Sequence, residues 1–184
     1  KKTLSFLSFY FCISNIFVQN AYAILESGDT LSISNYEVRS FDISGEEGSA
    51  RDITFSDDGK KMFIVGNNNH DVHEYTLSTA FNVSTAVFID SFSVATEDTN
   101  PMSLKFNNDG SKMFIGGRQN DKVYEYSLSI NFDVSSATHT GNSIDVSAKI
   151  LQNLFGLAFN NDGTMMYVTD GKGSGGSSES VHQY

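Results

Sequence analysis

One phrase recurs three times along this chain, and it constrains the fold more than any other feature. Phe106 to Leu128 reads FNNDGSKMFIGGRQNDKVYEYSL, and Phe55 to Leu77 reads FSDDGKKMFIVGNNNHDVHEYTL. A third copy opens at Phe159 as FNNDGTMMYVTDG and runs on to Val181 and Tyr184. Self-similarity at a fixed period dictates architecture before any local pattern does. Phe55, Phe106 and Phe159 stand 51 and 53 residues apart, and so do Gly59, Gly110 and Gly163. Tyr75, Tyr126 and Tyr184 stand 51 and 58 apart, the excess falling in one loop, where Gly171 to Ser180 replaces Arg118 to Lys122. Stacked repeats tolerate insertions confined to such loops.

Within each copy the pattern predicts short strands. Arg51 to Ser56 places Ile53 and Phe55 on one face, and Asp57-Asp58-Gly59 supplies a tight turn, Gly tolerating positive φ. Lys61 to Gly66 is apolar without alternation, as in a strand covered on both faces. Asn67 to His70 reads as a polar loop, Asp71 to Ser78 as a third strand and roughly Val87 to Val94 as a fourth. Upstream, Tyr36 to Ser44 reads as a strand, with Phe41 standing 51 residues before Phe92. Four antiparallel strands per unit of about 50 residues is the signature of a propeller blade. The expectation is an all-β chain with blade units at about 51–99, 100–152 and 153–184, the last stopping inside its third strand. A β-sandwich gives no reason for register-locked copies. With about two and a half blades against the four to eight of closed propellers, remaining blades or an oligomer are expected to complete the ring, a longer polypeptide being the favoured source.

Tyr167-Val168-Thr169-Asp170 after Asp162-Gly163 resembles the motif of the YVTN-type, WD40-like propellers of bacteria and archaea. Asn100 to Phe106 is similar to the segment that opens each blade in that group, and the resemblance covers Arg51 to Tyr184. It implies architecture rather than activity. Asp170 stands where the motif has Asn, and the other copies read Phe63-Ile64-Val65-Gly66 and Phe114-Ile115-Gly116-Gly117. Propeller hydrolases and lactonases hold a metal near the axis at the starts of their inner strands. The matching positions here are Asp52, Ser103 and Gly156, of which one is a carboxylate, so the resemblance carries over no metal site.

Residues 1–23 have the three parts of a secretory signal peptide: basic Lys1-Lys2, an apolar run from Leu4 to Val18, and the small-x-small pattern Ala21-Tyr22-Ala23. A secreted, periplasmic or cell-surface protein is expected, with no membrane insertion after cleavage. Cys12 is the only cysteine, and the aromatic residues before it do not fit a lipid anchor, so the mature piece has no disulfide. The net charge of −10 becomes −12 when Lys1 and Lys2 leave, with 22 acids against 10 bases. That balance disfavours nucleic acid and anionic membranes as partners.

Alternating strand direction places the second-to-third-strand loops and the between-blade loops on one face. Asn68, Asn69 and His70 of the first copy and Arg118, Asn120 and Asp121 of the second form a polar rim there, the candidate binding surface for a protein or carbohydrate ligand. The Asp-Gly triplets at Asp58, Asp109 and Asp162 lack the alternating ligands of a calcium loop and read as turns on the opposite face. His73 and His182 share the slot of Tyr124, a packing position, while His70 and His139 read as isolated loop histidines. None forms a triad with a nucleophile and a carboxylate. Gly171 to Gly176 lacks the phosphate-loop pattern, and no cofactor is identified. The leading expectation is a secreted binding or interaction module without a catalytic site, enzymatic activity being uncertain. The alternatives are a propeller enzyme of lactonase or dehydrogenase type with an axial site largely in other blades, and a surface-layer or adhesive repeat protein.

Overall fold

A computed structural model describes residues 39–150, 153–171 and 180–184, all within the unit Glu37–Tyr184. The leader at 1–23, positions 36–38 of the upstream strand and most of the Gly171 to Ser180 loop lie outside the described residues.

Three antiparallel sheets follow one another in chain order. The first contains β1 (Ala50–Phe55), β2 (Lys61–Gly66), β3 (Asp71–Leu77) and β4 (Ala86–Ser93) as neighbours in sequence. The second repeats it with β5 (Pro101–Phe106), β6 (Lys112–Gly117), β7 (Lys122–Leu128) and β8 (Ala137–Asp145). The third contains β9 (Asn153–Phe159), β10 (Met166–Gly171) and β11 (Val181–Gln183). These are propeller blades, two of them four-stranded. β1 lies beside β5, and β5 beside β9, so the first strand of each sheet forms the edge that faces the axis in a propeller.

The unalternating runs are covered on both faces, as expected. From β2, Met62 and Ile64 join Tyr75, Leu77 and Ala86 in one cluster, while Phe63 and Val65 face the other way. Phe63 and Val65 pack with Leu104, Met113, Ile115 and Tyr126 of the second sheet. Leu154, Leu157 and Val168 repeat this arrangement against Val123 and Val146. Each such aliphatic side chain withdrawn from water contributes about 1.5–3 kcal/mol, so the core consists of layers between blades. β4 and β8 are mostly exposed, because the outer strand has no further neighbour.

Each inner strand carries one extra residue near its start. The register slips between Ala50 and Asp52, between Pro101 and Ser103, and opposite Thr169 and Asp170. Such bulges re-aim side chains, and here they precede Asp52, Ser103 and Gly156.

The upstream strand is a point of difference. Residues 39–43 carry no ladder, because no described strand lies alongside to pair with them. The register is nonetheless real: Phe41 meets Tyr75 edge-on at 5.6 Å, and Phe92 meets Tyr126 in the same way at 5.6 Å. Glu46 and Glu47 donate their N–H groups to the Ile43 carbonyl at 3.0 and 2.8 Å, as Glu97 and Asp98 do to Val94 at 3.1 and 3.0 Å. Residues 39–43 therefore stand to the first sheet as the end of β4 stands to the second.

Candidate functional site

The rim loops are built around buried carboxylates. The turn after each outer strand swings Glu47 over Gly66 and Asp98 over Gly117. A Cβ at Gly66 would lie 2.0 Å from the Glu47 carboxyl carbon, and one at Gly117 would lie 2.2 Å from Asp98 Oδ2. Glu47 Oε1 accepts the N–H groups of Ser49 at 2.6 Å and Asn68 at 3.1 Å. Asp98 accepts those of Asn100 at 2.8 Å, Gln119 at 3.2 Å and Asn120 at 3.0 Å. Each carboxylate thus satisfies loop donors that would otherwise be stranded at a partly buried junction.

The third blade keeps the carboxylate but moves its origin. Ile150 holds the place of Glu47 and Asp98, donating its N–H to Val146 at 3.2 Å. Asp170, opposite Leu154, holds the place of Gly66 and Gly117. It is buried and accepts the Ser180 N–H at 2.5 Å.

A ring side chain from the third strand lies beside two of these carboxylates. His73 Nε2 is 3.6 Å from Glu47 Oε2, both groups buried, and His182 Nε2 is 3.5 Å from Asp170 Oδ2. In the second blade the slot holds Tyr124, whose hydroxyl accepts from Asn120 Nδ2 at 3.1 Å. His73, Tyr124 and His182 do share one slot, opposite Ile64, Ile115 and Val168. His139 is not in a loop. It pairs with Tyr126 in β8, because the fourth strand reaches further than its polar sequence indicates. Its Nδ1 lies 3.5 Å from Glu97 Oε1, and Tyr126 Oη donates to Glu97 Oε2 at 3.1 Å. Burial, with the Glu97 carboxylate beside it, pushes the Tyr126 hydroxyl strongly up. It serves as a hydrogen-bond donor there.

The six candidate rim residues serve the junctions at two separate loops. Asn69 Nδ2 donates to the Glu46 carbonyl at 3.2 Å, and Asn120 Nδ2 to that of Glu97 at 2.9 Å. Asn68 is exposed, its amide 3.4 Å from Asn69 Oδ1. His70 and Asp121 take positive φ, 59° and 50°, and their carbonyls receive the N–H groups of Val94 and Val146 at 2.9 and 3.0 Å. Asp121 Oδ1 accepts the Leu154 N–H at 3.0 Å, and the Arg118 guanidinium lies 5.0 Å over the Phe155 ring. His70 stays with its own blade, whereas Arg118 and Asp121 reach into the next one. The sequence signal for the carboxylates beneath was available: Glu46-Glu47 and Glu97-Asp98 share a register 51 residues apart, ahead of Gly66 and Gly117.

At the axial edge, Asp52 Oδ2 accepts from the Leu104 N–H at 3.0 Å and from Lys105 Nζ at 2.9 Å. Both side chains remain partly open, 24% and 31% exposed. Ser103 is buried against Gly116, and Gly156 offers no side chain. Among the described residues, no group of three or more His, Cys, Asp or Glu is arranged to hold a metal.

The Asp-Gly triplets are hairpin turns. Gly59, Gly110 and Gly163 have φ of 66°, 71° and 69°. The preceding Asp58, Asp109 and Asp162 accept the N–H two residues on at 3.0, 2.9 and 3.0 Å. Those local hydrogen bonds, with neighbouring Ser and Thr hydroxyls, hold the three carboxyls below their ordinary range.

No family profile matches the chain, and no curated protein does. Solved structures do. A candidate 6-phosphogluconolactonase from Bacteroides fragilis superimposes with a TM-score of 0.51 at 14% identity, over 65% of this chain and 31% of that one. One from Bacteroides uniformis gives 0.50 at 12% identity, over 65% and 32%. A protein from Lactobacillus plantarum gives 0.50 at 14% identity, over 65% and 34%. The chain thus spans about a third of the length of these structures, and at such identities the likeness is one of fold, a β-propeller. The match corrects one expectation. The leading reading, a binding module without a catalytic site, came from the absence of a catalytic constellation in these repeats, whereas two of these three fold neighbours are named for lactone hydrolysis.

Proposed function

We propose that this chain is part of a propeller enzyme of the lactonase kind, built from YVTN-type repeats, with its site on the axial edge where β1, β5 and β9 converge. The observation that carries this reading is the Asp52–Lys105 pair, which places a carboxylate and an ammonium 2.9 Å apart on neighbouring inner strands, both open to solvent. Fold neighbours named for 6-phosphogluconolactone support the reaction class.

Lactone hydrolysis requires water to attack the ring carbonyl while negative charge develops on its oxygen. Asp52 is anchored by the Ile53 and Leu104 N–H groups, so Lys105 needs one ammonium proton to hold the pair and keeps two others. Those protons stabilise an oxyanion at the axis, and removing such a donor costs about 100-fold in kcat. The reading is tested with the protein expressed from its full reading frame, by following acid release from glucono-δ-lactone and its 6-phosphate above the spontaneous rate. Turnover that falls about 100-fold in Lys105→Met, with the melting temperature unchanged, is the expected result. Absence of turnover on both lactones overturns the reading.

A further inference from the structure

The loop that carries Arg118 is pinned at both ends. The Arg118 N–H donates to the Asn100 carbonyl at 2.9 Å, and those of Gln119 and Asn120 donate to Asp98 at 3.2 and 3.0 Å. Asp121 Oδ1 then accepts the Leu154 N–H at 3.0 Å, which ties the far end of the loop to the start of β9. A loop ordered in this way holds its side chains in position before any ligand arrives. The Arg118 guanidinium lies 5.0 Å over the Phe155 ring, within cation–π range, and remains partly exposed. The ring packs on Gly171, where a Cβ would lie 2.2 Å from it.

Phe155 is the extra residue of the β9 bulge, as Arg51 is of the β1 bulge and Met102 of the β5 bulge. Arg118 therefore reaches the mouth of the axial edge, where the inner strands begin. Arg51 occupies the same level of β1, one residue before Asp52, and is exposed. Lys105 stands two residues beyond Ser103, and Phe155 one residue before the matching Gly156. The offset between their levels is about 10 Å along the strands.

The charges at this mouth have different employment. The Lys105 ammonium is matched by Asp52 at 2.9 Å. Asp98 and Asp121, the carboxylates nearest in the chain to Arg118, accept backbone N–H groups. An anionic substrate gains nothing from the field of a chain with net charge −10 and needs cations placed locally. A guanidinium suits that task, because stacking uses its face and leaves its N–H edge for a bidentate contact with phosphate.

We infer that Arg118 is a specificity-determining residue of the proposed axial site and binds a phosphate monoester carried by the lactone. Arg51, at the same level, is the second cation for a group of nearly double charge. The inference rests on the lactonase reading and adds the substrate class to it, a phosphorylated sugar lactone. With the ring carbonyl at Lys105, the phosphate lies toward Arg118, and the sugar ring, the ester and two long side chains bridge the offset.

The test uses the protein expressed from its full reading frame, with its Arg118→Ala and Arg118→Lys variants. Turnover gives kcat/KM for glucono-δ-lactone and its 6-phosphate, and calorimetry gives the affinities of the products, gluconate and 6-phosphogluconate. The phosphorylated member of each pair is expected to be preferred. In Arg118→Ala that preference falls at least about tenfold, through KM rather than kcat, as expected for a lost charged hydrogen bond. Arg118→Lys keeps the charge without the fork and falls in between. A ratio of two ligands on one protein is insensitive to partial unfolding of a variant, so the comparison holds even if Arg118→Ala is less stable. No preference for the phosphorylated ligands, or one that Arg118→Ala leaves unchanged, overturns the inference while turnover keeps the lactonase reading. Absence of turnover, with phosphate-dependent product binding that Arg118→Ala abolishes, overturns the lactonase reading and leaves Arg118 as the phosphate-binding residue.

Discussion

Asp98 and Gly117 make sense only together, because a Cβ at Gly117 would strike the carboxylate at 2.2 Å. Three N–H groups depend on that carboxylate, so Asp98→Ala is expected to cost on the order of 3 kcal/mol in urea unfolding. The third blade offers a sharper test, since its carboxylate arrives from Asp170 with Ile150 in the other position. Asp170→Gly alone is expected to destabilise, and adding Ile150→Glu to recover part of the loss by rebuilding the Glu47–Gly66 arrangement. A double-mutant cycle reads this as a coupling energy beyond 0.5 kcal/mol. Strictly additive changes would mean that the two positions do not share one niche.

At the scale of the element, position within a blade decides what a strand tolerates. Ile115 of β6 is fully buried between blades, whereas Ile144 of β8 is 47% exposed. Ile115→Ala is expected to cost about 2–5 kcal/mol, and Ile144→Thr to stay within about 0.5 kcal/mol, both read from denaturant midpoints. Similar losses at the two sites would contradict the layered core. The inner strands differ again: their bulges aim Asp52 across to Leu104 and Lys105, joining neighbouring blades by a polar contact where no ladder bond connects them. β8 was harder to read in advance because its outward residues are polar, which hid His139 in an apparent loop. Strand periodicity depends on burial, and the outer strand has little.

For the molecule as a whole, titration bounds the stable range. Asp58, Asp109 and Asp162 are held below their ordinary carboxyl values by turn N–H and hydroxyl groups, and Glu125 is held down by Lys112 and Asn142 against its own partial burial. A folded carboxyl below its unfolded value contributes stability that is present above about pH 4 and lost as pH falls through the folded value. Burial, with Glu46 and Glu47 nearby, pushes the Tyr75 hydroxyl up to about 12. A raised tyrosine gives the opposite sign, with stability present below the unfolded value near 10 and lost as pH rises beyond it. Urea midpoints are therefore expected to decline below about pH 4 and above about pH 10. A midpoint that rises on acidification from 4 to 3 would show that relief of the −10 net charge outweighs the turn carboxylates.

The sequence by itself determined the repeat, the blade architecture and the turn role of the Asp-Gly pairs. Register at a fixed spacing is a one-dimensional signal, and Gly59, Gly110 and Gly163 carry it without reference to any partner. It also determined that Lys61 to Gly66 would be covered on both faces, because missing alternation records burial on two sides. Only the tertiary structure decided which groups the rim side chains bond to. Asn69, Asn120 and Asp121 look like free polar tips in the chain, yet they bond to groups 23 to 33 residues away. It alone brought Lys105 to Asp52 across a blade boundary and set Phe114 against Phe159 beside a paired Lys112 and Glu125. The physical reason is common to all three: each depends on how neighbouring blades abut, and a contact between blades is fixed by packing rather than by the order of residues within either one.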